Sequence, residues 1–316
     1  MQQINLTTQA DPRAIAALAG QFPDDSWYDT LLTTGDVFVR KPDGTPLLVV
    51  LRQAVQGAMY RAAYTALAPL TQQTSGKGNR GLAAGLMGTT VKRADLVAGN
   101  VGAFGRKTGT RYSPIKRDGT VSNTNYALAV PSFVAGYSDR SARFPYCRQT
   151  AYTNDHPDRL RATIPCLAHL SQLFATHLPD RHAAQAAQCA RTSPDFVIPQ
   201  TVFTTLTVNC NWQTALHQDA GDLKAGFGVM LCLRAGHYTG GYYTMPQYRI
   251  AVDLQAGDVI LSDVHEWHAN TPLVGNPARY ERITVVCYCR EKMIHCGTMA
   301  EELARAKALR GTVRRA

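Results

Sequence analysis

From Val202 onward the hydrophobic period of the chain changes to two. TVFTTLTVNC, FGVMLCLRA, YRIAVDL, DVILSDV and RITVVCYC are short runs rich in β-branched residues, separated by Gly, Pro or Asn. Such alternation puts successive side chains on opposite faces of a strand, so each run buries an apolar face only by packing against another layer. Short strands at these intervals predict a sandwich or jelly roll, and no other feature restricts the fold as much.

The remainder of the chain is mixed. Residues 36–51, DVFVRKPDGTPLLVVL, read as two extended runs around the turn Pro42-Asp43-Gly44, and an apolar helical segment follows from Gln53 to Leu70. Between Gln73 and Tyr126 the character shifts to Gly, Thr, Asn, Lys and Arg, which predicts long basic loops. After Pro157, Leu160, Ile164, Leu167, Leu170, Phe174 and Leu178 recur at helical spacing, and a second helix is expected over 179–190. Core packing suffices to explain that apolar face. The class is therefore α+β, and 316 residues are enough for one large domain. We divide it into an N-terminal α/β extension over 1–140 packed on the core, a core over 141–300, and a basic tail over 301–316. No internal repeat or low-complexity linker interrupts it.

Composition narrows the function less. Lys and Arg number 33 against 23 acidic residues, a net charge of +10, which suits a polyanionic partner and equally a basic enzyme without one. No window approaches the roughly 18 uninterrupted apolar residues of a membrane span, so no membrane association is expected. The start, MQQINLTTQADPR, has neither a basic nor an apolar leader region, which predicts a cytoplasmic location, the host cytoplasm for a phage-encoded chain. The eight cysteines show no CxxC pair and no even spacing, arguing against a disulfide framework and for buried small hydrophobes. Cys287, Cys289, His295 and Cys296 form a weak zinc candidate.

The chemistry is concentrated in His217-Gln218-Asp219 and in HEWHAN further on. Residues i and i+2 of a strand share a face, so His217 and Asp219 can offer a nitrogen and a carboxylate oxygen to one ion. A distant histidine completes a two-His, one-carboxylate set that leaves coordination positions open, as non-haem Fe(II) oxygenases require. Both His265 and His268 are available, and in a continuous strand only one of them can face the metal. Fourteen residues past His268 stands Arg282, with Thr284 on the same face; its planar fork suits the distal carboxylate of 2-oxoglutarate. Along RITVVCYCR, Arg282, Thr284, Val286, Tyr288 and Arg290 fall on one face and Ile283, Val285, Cys287 and Cys289 on the other. Gly240-Gly241 marks a tight bend or a close backbone approach.

HxD, GDVILSDVHEWHANTP and RITVVCYCR, with PDGTPLLVVLR, NRGLAAG and GYSDRSARFPYCRQTAYT upstream, resemble the oxygenase core of the TET/J-binding-protein family, especially its fungal and bacteriophage members. The resemblance spans most of residues 35–292. It implies a double-stranded β-helix (jelly-roll) core using Fe(II), with 2-oxoglutarate and O2 as cosubstrates, and a monomer acting on a flipped 5-methylpyrimidine of DNA. It places the iron on His217, Asp219 and His268, the last because the family reads H-A/G-x-T-P there. Arg282 and Thr284 would bind 2-oxoglutarate. Tyr288 stands where the family sets an aromatic ring against the base, and Arg290 replaces a histidine that reads it. Asp222 matches a base-contacting position; a carboxylate accepts from the N4 amine of cytosine, which favours 5-methylcytosine over thymine. Arg148 and Asn79 lie in signatures that shape the substrate cleft or touch phosphates.

Overall fold

The computed structural model describes residues 1–68, 83, 131–141 and 144–313. Among them the strands are β1 (Gln2–Asn5), β2 (Thr30–Leu32), β3 (Val37–Arg40), β4 (Pro46–Leu51), β5 (Ser132–Ser138), β6 (Arg148–Gln149), β7 (Thr205–Cys210) and β8 (Gly228–Gly236). They continue with β9 (Thr239–Gly240), β10 (Tyr243–Met245), β11 (Ile250–Val252), β12 (Val259–Ser262), β13 (Ala269–Asn270), β14 (Leu273–Val274) and β15 (Tyr280–Tyr288). The helices are α1 (Pro12–Ala16), α2 (Gly57–Leu67), α3 (Ala151–Asp155), α4 (Pro157–His177), α5 (Pro179–Ala190) and α6 (Met299–Val313). No described helix is long and apolar enough to cross a membrane.

Nine strands form one sheet in the order β1-β3-β4-β12-β8-β15-β7-β5-β6, and β13-β10-β11-β2 form a second. This α+β arrangement is the expected jelly-roll core. Residues on both sides of position 140 contribute strands to the large sheet, because β4 pairs with β12 and β5 with β7. The β3–β4 turn follows from its residues. Asp43 accepts the Thr45 N–H at 2.9 Å, and Gly44 takes φ +82°, a left-handed conformation that glycine adopts without a steric cost.

The sequence alternation of β15 is reproduced in the packing. Ile283, Val285 and Cys287 join a core with Leu160, Leu167, Leu170 and Phe174 of α4 and with Ala63 and Leu67 of α2. Val286 faces the other way, toward Met230, Cys232, Tyr243, Met245 and Ile250 between the two sheets. One face of the large sheet is thus sealed by helices, and the other lines the space between sheets. Each fully buried Leu, Ile or Phe contributes about 1.5–3 kcal/mol, so neither face tolerates a one-residue slip of register.

The cysteine expectations need correction. Cys147 and Cys296, 149 residues apart, are joined by a disulfide with a Cα–Cα distance of 5.7 Å. Sequence spacing carries no record of such a long-range neighbour. The weak zinc group does not assemble: Cys296 is in that disulfide, while Cys287 and Cys289 point into the helix-covered core, where Cys289 Sγ lies 3.8 Å from Cys189 Sγ. The other described cysteines are buried, as small hydrophobes would be.

Candidate active site

β7 ends at Cys210, and Asn211, with φ +47°, turns the chain out of the sheet. The chain returns as a backbone bridge between His217 and His268, each N–H donating to the other's carbonyl at 3.0 Å. The sequence places HxD at the end of a continuous strand; here the shared face comes instead from this bridge and from the Asp219 N–H, which donates to Val264 O at 3.0 Å. β12 also stops at Ser262, so His265 and His268 are separated by a turn rather than by strand alternation.

Both imidazoles are oriented by carbonyls two residues earlier. His217 Nδ1–H donates to Ala215 O at 2.7 Å and His268 Nδ1–H to Glu266 O at 2.9 Å. A carbonyl can only accept, so each Nδ1 carries a proton; in the neutral ring this leaves Nε2 as the ligand atom, and both Nε2 atoms are directed at Asp219. His217 Nε2 lies 3.7 Å from Oδ1 and His268 Nε2 3.8 Å from Oδ2, longer than hydrogen bonds. Ligand atoms of the three residues lie within 4.8 Å of one another, so that together they could hold one metal ion. His265 points elsewhere, its Nε2 3.3 Å from Leu223 O. The turn carrying His268 is pinned from the N-terminal half, where Lys41 Nζ donates to Asp263 at 2.8 Å and to Glu266 at 2.6 Å. Tyr243, its phenol kept protonated by burial, lies 5.5 Å from the His268 ring and bonds Ser262 Oγ at 3.1 Å.

Deeper between the sheets, Arg282 is 3% exposed, forms no ion pair among the described residues, and has a buried Nη2 with no hydrogen-bond partner. A buried guanidinium without a counter-anion is costly, so the position suits a ligand carboxylate. Its cross-strand neighbour Arg234 is occupied, by Leu254 O, Tyr238 O and Asp253. Tyr238 adds a second donor that sequence reasoning missed. Its buried hydroxyl also lacks a partner among the described residues, burial pushes its pKa up, and Arg282 lies near enough to act on its titration. Thr284 is buried beside them and accepts from Asn209 Nδ2 at 3.4 Å. Gly241, at φ +68°, allows the close approach: a Cβ there would come within 3.2 Å of Arg282 Nε. Only the glycine pair had signalled this contact in sequence.

A third group lies on the far side of Asp219. Asp222 is 8% exposed and bridges to Arg290 through the backbone. Burial, reinforced by the Asp219 charge and opposed by Arg290, pushes its carboxyl well above the usual range. Arg290 is held by Asp139, a residue not anticipated: Nε donates to Oδ1 at 2.9 Å and Nη2 lies 2.8 Å away. Tyr288 bonds Thr207 Oγ1 at 3.2 Å. Arg148 is not at the triad; it stacks on Phe144 at 4.2 Å and donates to Asp139 O at 3.3 Å. Asn79 lies outside the described residues. An open cleft of about 520 Å³ exposes Asp219 and is lined by Arg181, Gln218, Lys224, His265 and Trp267.

Residues 134–291, half of the chain, match the Tet_JBP family, described as the oxygenase domain of the 2OGFeDO superfamily. The chain is 36% identical over 164 residues to Thymine dioxygenase JBP1 of Trypanosoma brucei brucei, covering 50% of this chain and 19% of that protein. It is 32% identical over 169 residues to the Bifunctional helicase and thymine dioxygenase JBP2 of Leishmania infantum, covering 53% and 15%. The chain therefore spans less than a fifth of the length of these relatives. The solved structure of NgTET1 in complex with 5mC DNA has a TM-score of 0.52 and 13% identity over 93% of this chain and 96% of that one, a likeness of fold. The chain belongs to the Tet_JBP family of iron(II)- and 2-oxoglutarate-dependent dioxygenases.

Proposed function

We propose that the chain oxidises the 5-methyl group of a flipped pyrimidine in DNA, with 5-methylcytosine as the favoured base. The observation that carries the reading is the conjunction of an aimed His217-Asp219-His268 set with a buried Arg282 whose Nη2 has no hydrogen-bond partner among the described residues. His217, Asp219 and His268 would hold iron(II), and Arg282, Thr284 and Tyr238 the distal carboxylate of 2-oxoglutarate. Loaded with iron, 2-oxoglutarate and O2, such a site supplies the oxidant that turns a methyl group into a hydroxymethyl group. The protein's part is positioning. The carbonyl-bound Nδ1–H groups orient the two rings so that Nε2 is the atom turned toward Asp219, and the turn fixed by Lys41 keeps His268 opposite His217.

A base stacked in a duplex cannot bring its methyl to a triad set between two sheets, so the nucleotide must leave the stack, at a cost of about a few kcal/mol. Phosphate contacts from basic residues, Arg181 and Lys224 of the cleft among them, would offset that cost. The extruded ring would lie between Tyr288 and the Asp222–Arg290 pair, where the Asp222 carboxylate accepts from N4 of 5-methylcytosine.

One observation favours thymine as a second reading. Asp222 is buried and its carboxyl is pushed up; in the protonated form it can donate to O4. The relatives named as thymine dioxygenases support the same alternative. The deciding experiment digests a reacted duplex that holds both bases to nucleosides. Hydroxymethylcytosine as the main product supports the first reading, whereas hydroxymethyluracil alone replaces it with the second.

A further inference from the structure

Asp139 stands one position beyond β5 and is 7% exposed. Its Oδ1 takes the Nε and lies beside the Nη2 of Arg290, and its backbone carbonyl accepts from Arg148. The Arg290 backbone is fixed as well, its N–H donating to Thr204 Oγ1 at 3.0 Å. Directly opposite Arg290 sits Asp222, whose carboxylate makes no hydrogen bond among the described residues. Two buried carboxylates thus stand beside one guanidinium, and Asp139 holds it.

We propose that Asp139 is a positioning residue for base selectivity: it keeps the Arg290 guanidinium off the Asp222 carboxylate, so that both groups remain available to the flipped pyrimidine. This rests on the base-oxidation reading above. A part-buried guanidinium released from Asp139 would close onto the Asp222 carboxylate across the bridge, whose charge it already feels, and occupy the lone pairs that would otherwise accept from the base. Asparagine at 139 has nearly the same shape but no charge, and its Oδ1 is a weaker acceptor for the guanidinium, so it loosens the hold without opening a cavity. The chain would still bind its cosubstrate and would read the two pyrimidines less differently.

The test uses the full chain and a duplex carrying both 5-methylcytosine and thymine, and reads the ratio of the two hydroxymethyl nucleosides. Asp139→Asn should move that ratio at least ten-fold while 2-oxoglutarate affinity and thermal midpoint stay close to wild type. Asp139→Glu should retain most of the selectivity. In an Arg290→Gln background, Asp139→Asn should change the ratio less than two-fold, because the residue it restrains is gone. A ratio unmoved by Asp139→Asn, or moved equally in the Arg290→Gln background, overturns the proposal. If Asp139→Asn does not fold, Arg290→Lys decides: it loses the Nε contact and keeps the charge, and an unchanged ratio is again fatal. A wild-type chain that oxidises neither base defeats the underlying reading before any variant is compared.

Discussion

Replacing Arg282 separates cosubstrate binding from the iron site. Its guanidinium is buried, and among the described residues its Nη2 has no hydrogen-bond partner and no carboxylate pairs with it. A hydrogen bond to a charged group is worth about 1.5–3 kcal/mol, and a lysine ammonium reproduces the charge without the planar fork. Arg282→Lys should therefore weaken 2-oxoglutarate by about 10- to 150-fold, at roughly 1.4 kcal/mol per decade. Calorimetric titration of 2-oxoglutarate into iron-loaded protein under anaerobic conditions measures this, with iron content unchanged in parallel. Stability gives an independent signature. At a hundred times its Kd, 2-oxoglutarate should stabilise the wild type by about 2.7 kcal/mol, and Arg282→Met should lose that gain. The ligand-free Arg282→Met protein should nonetheless melt at or above the wild type, because a buried charge with no carboxylate in ion-pair contact among the described residues has been removed. An unchanged Kd in Arg282→Lys, or a large loss of stability in ligand-free Arg282→Met, would refute the assignment of an unpaired, ligand-seeking arginine.

His217→Ala, Asp219→Ala and His268→Ala should each abolish turnover and lower bound iron, measured by metal analysis, whereas His265→Ala should keep both; an inactive His265 variant beside an active His268 variant reverses the ligand set. The Asp222 carboxyl is raised, so between the unfolded and the folded value the folded chain holds a proton that the unfolded chain has released. Its contribution to stability is present at low pH and is lost as pH climbs through the folded value; Asp222→Asn should flatten that part of a pH–melting curve. Preference for 5-methylcytosine over thymine should rise across the same window as the carboxylate forms, and a preference independent of pH counts against Asp222 as the reader. Denatured, unreduced protein should titrate six thiols from its eight cysteines; Cys147→Ala should cost about 2–5 kcal/mol in denaturant unfolding, and eight free thiols would remove the disulfide.

Much of this site can be read from the chain because its parts are local in sequence. Alternation along β15 assigns Arg282, Thr284 and Val286 to the space between the sheets and Ile283, Val285 and Cys287 to the helix-covered face, and the packing agrees. HxD is equally compact, although the shared face is produced by a bridge to His268 rather than by a strand. What escapes sequence reading depends on long-range neighbours. Asp139 reaches Arg290 across 151 positions, Lys41 reaches Asp263 across 222, and Cys147 meets Cys296 across 149. None of these pairs carries a periodic or motif signal. The protonation of Asp222 is likewise set by burial and by Asp219, neither of which residue type alone specifies.

The most direct measurement of the central claim counts succinate against oxidised base. Iron-loaded protein is given 2-oxoglutarate, O2 and either a 5-methylcytosine-containing duplex or one whose pyrimidines carry no 5-methyl group, with deoxyuridine in place of thymidine. Succinate is expected in step with hydroxymethyl nucleoside on the first duplex, with little on the second, and none of either with His217→Ala. Equal succinate on both duplexes with no altered nucleoside would contradict the claim.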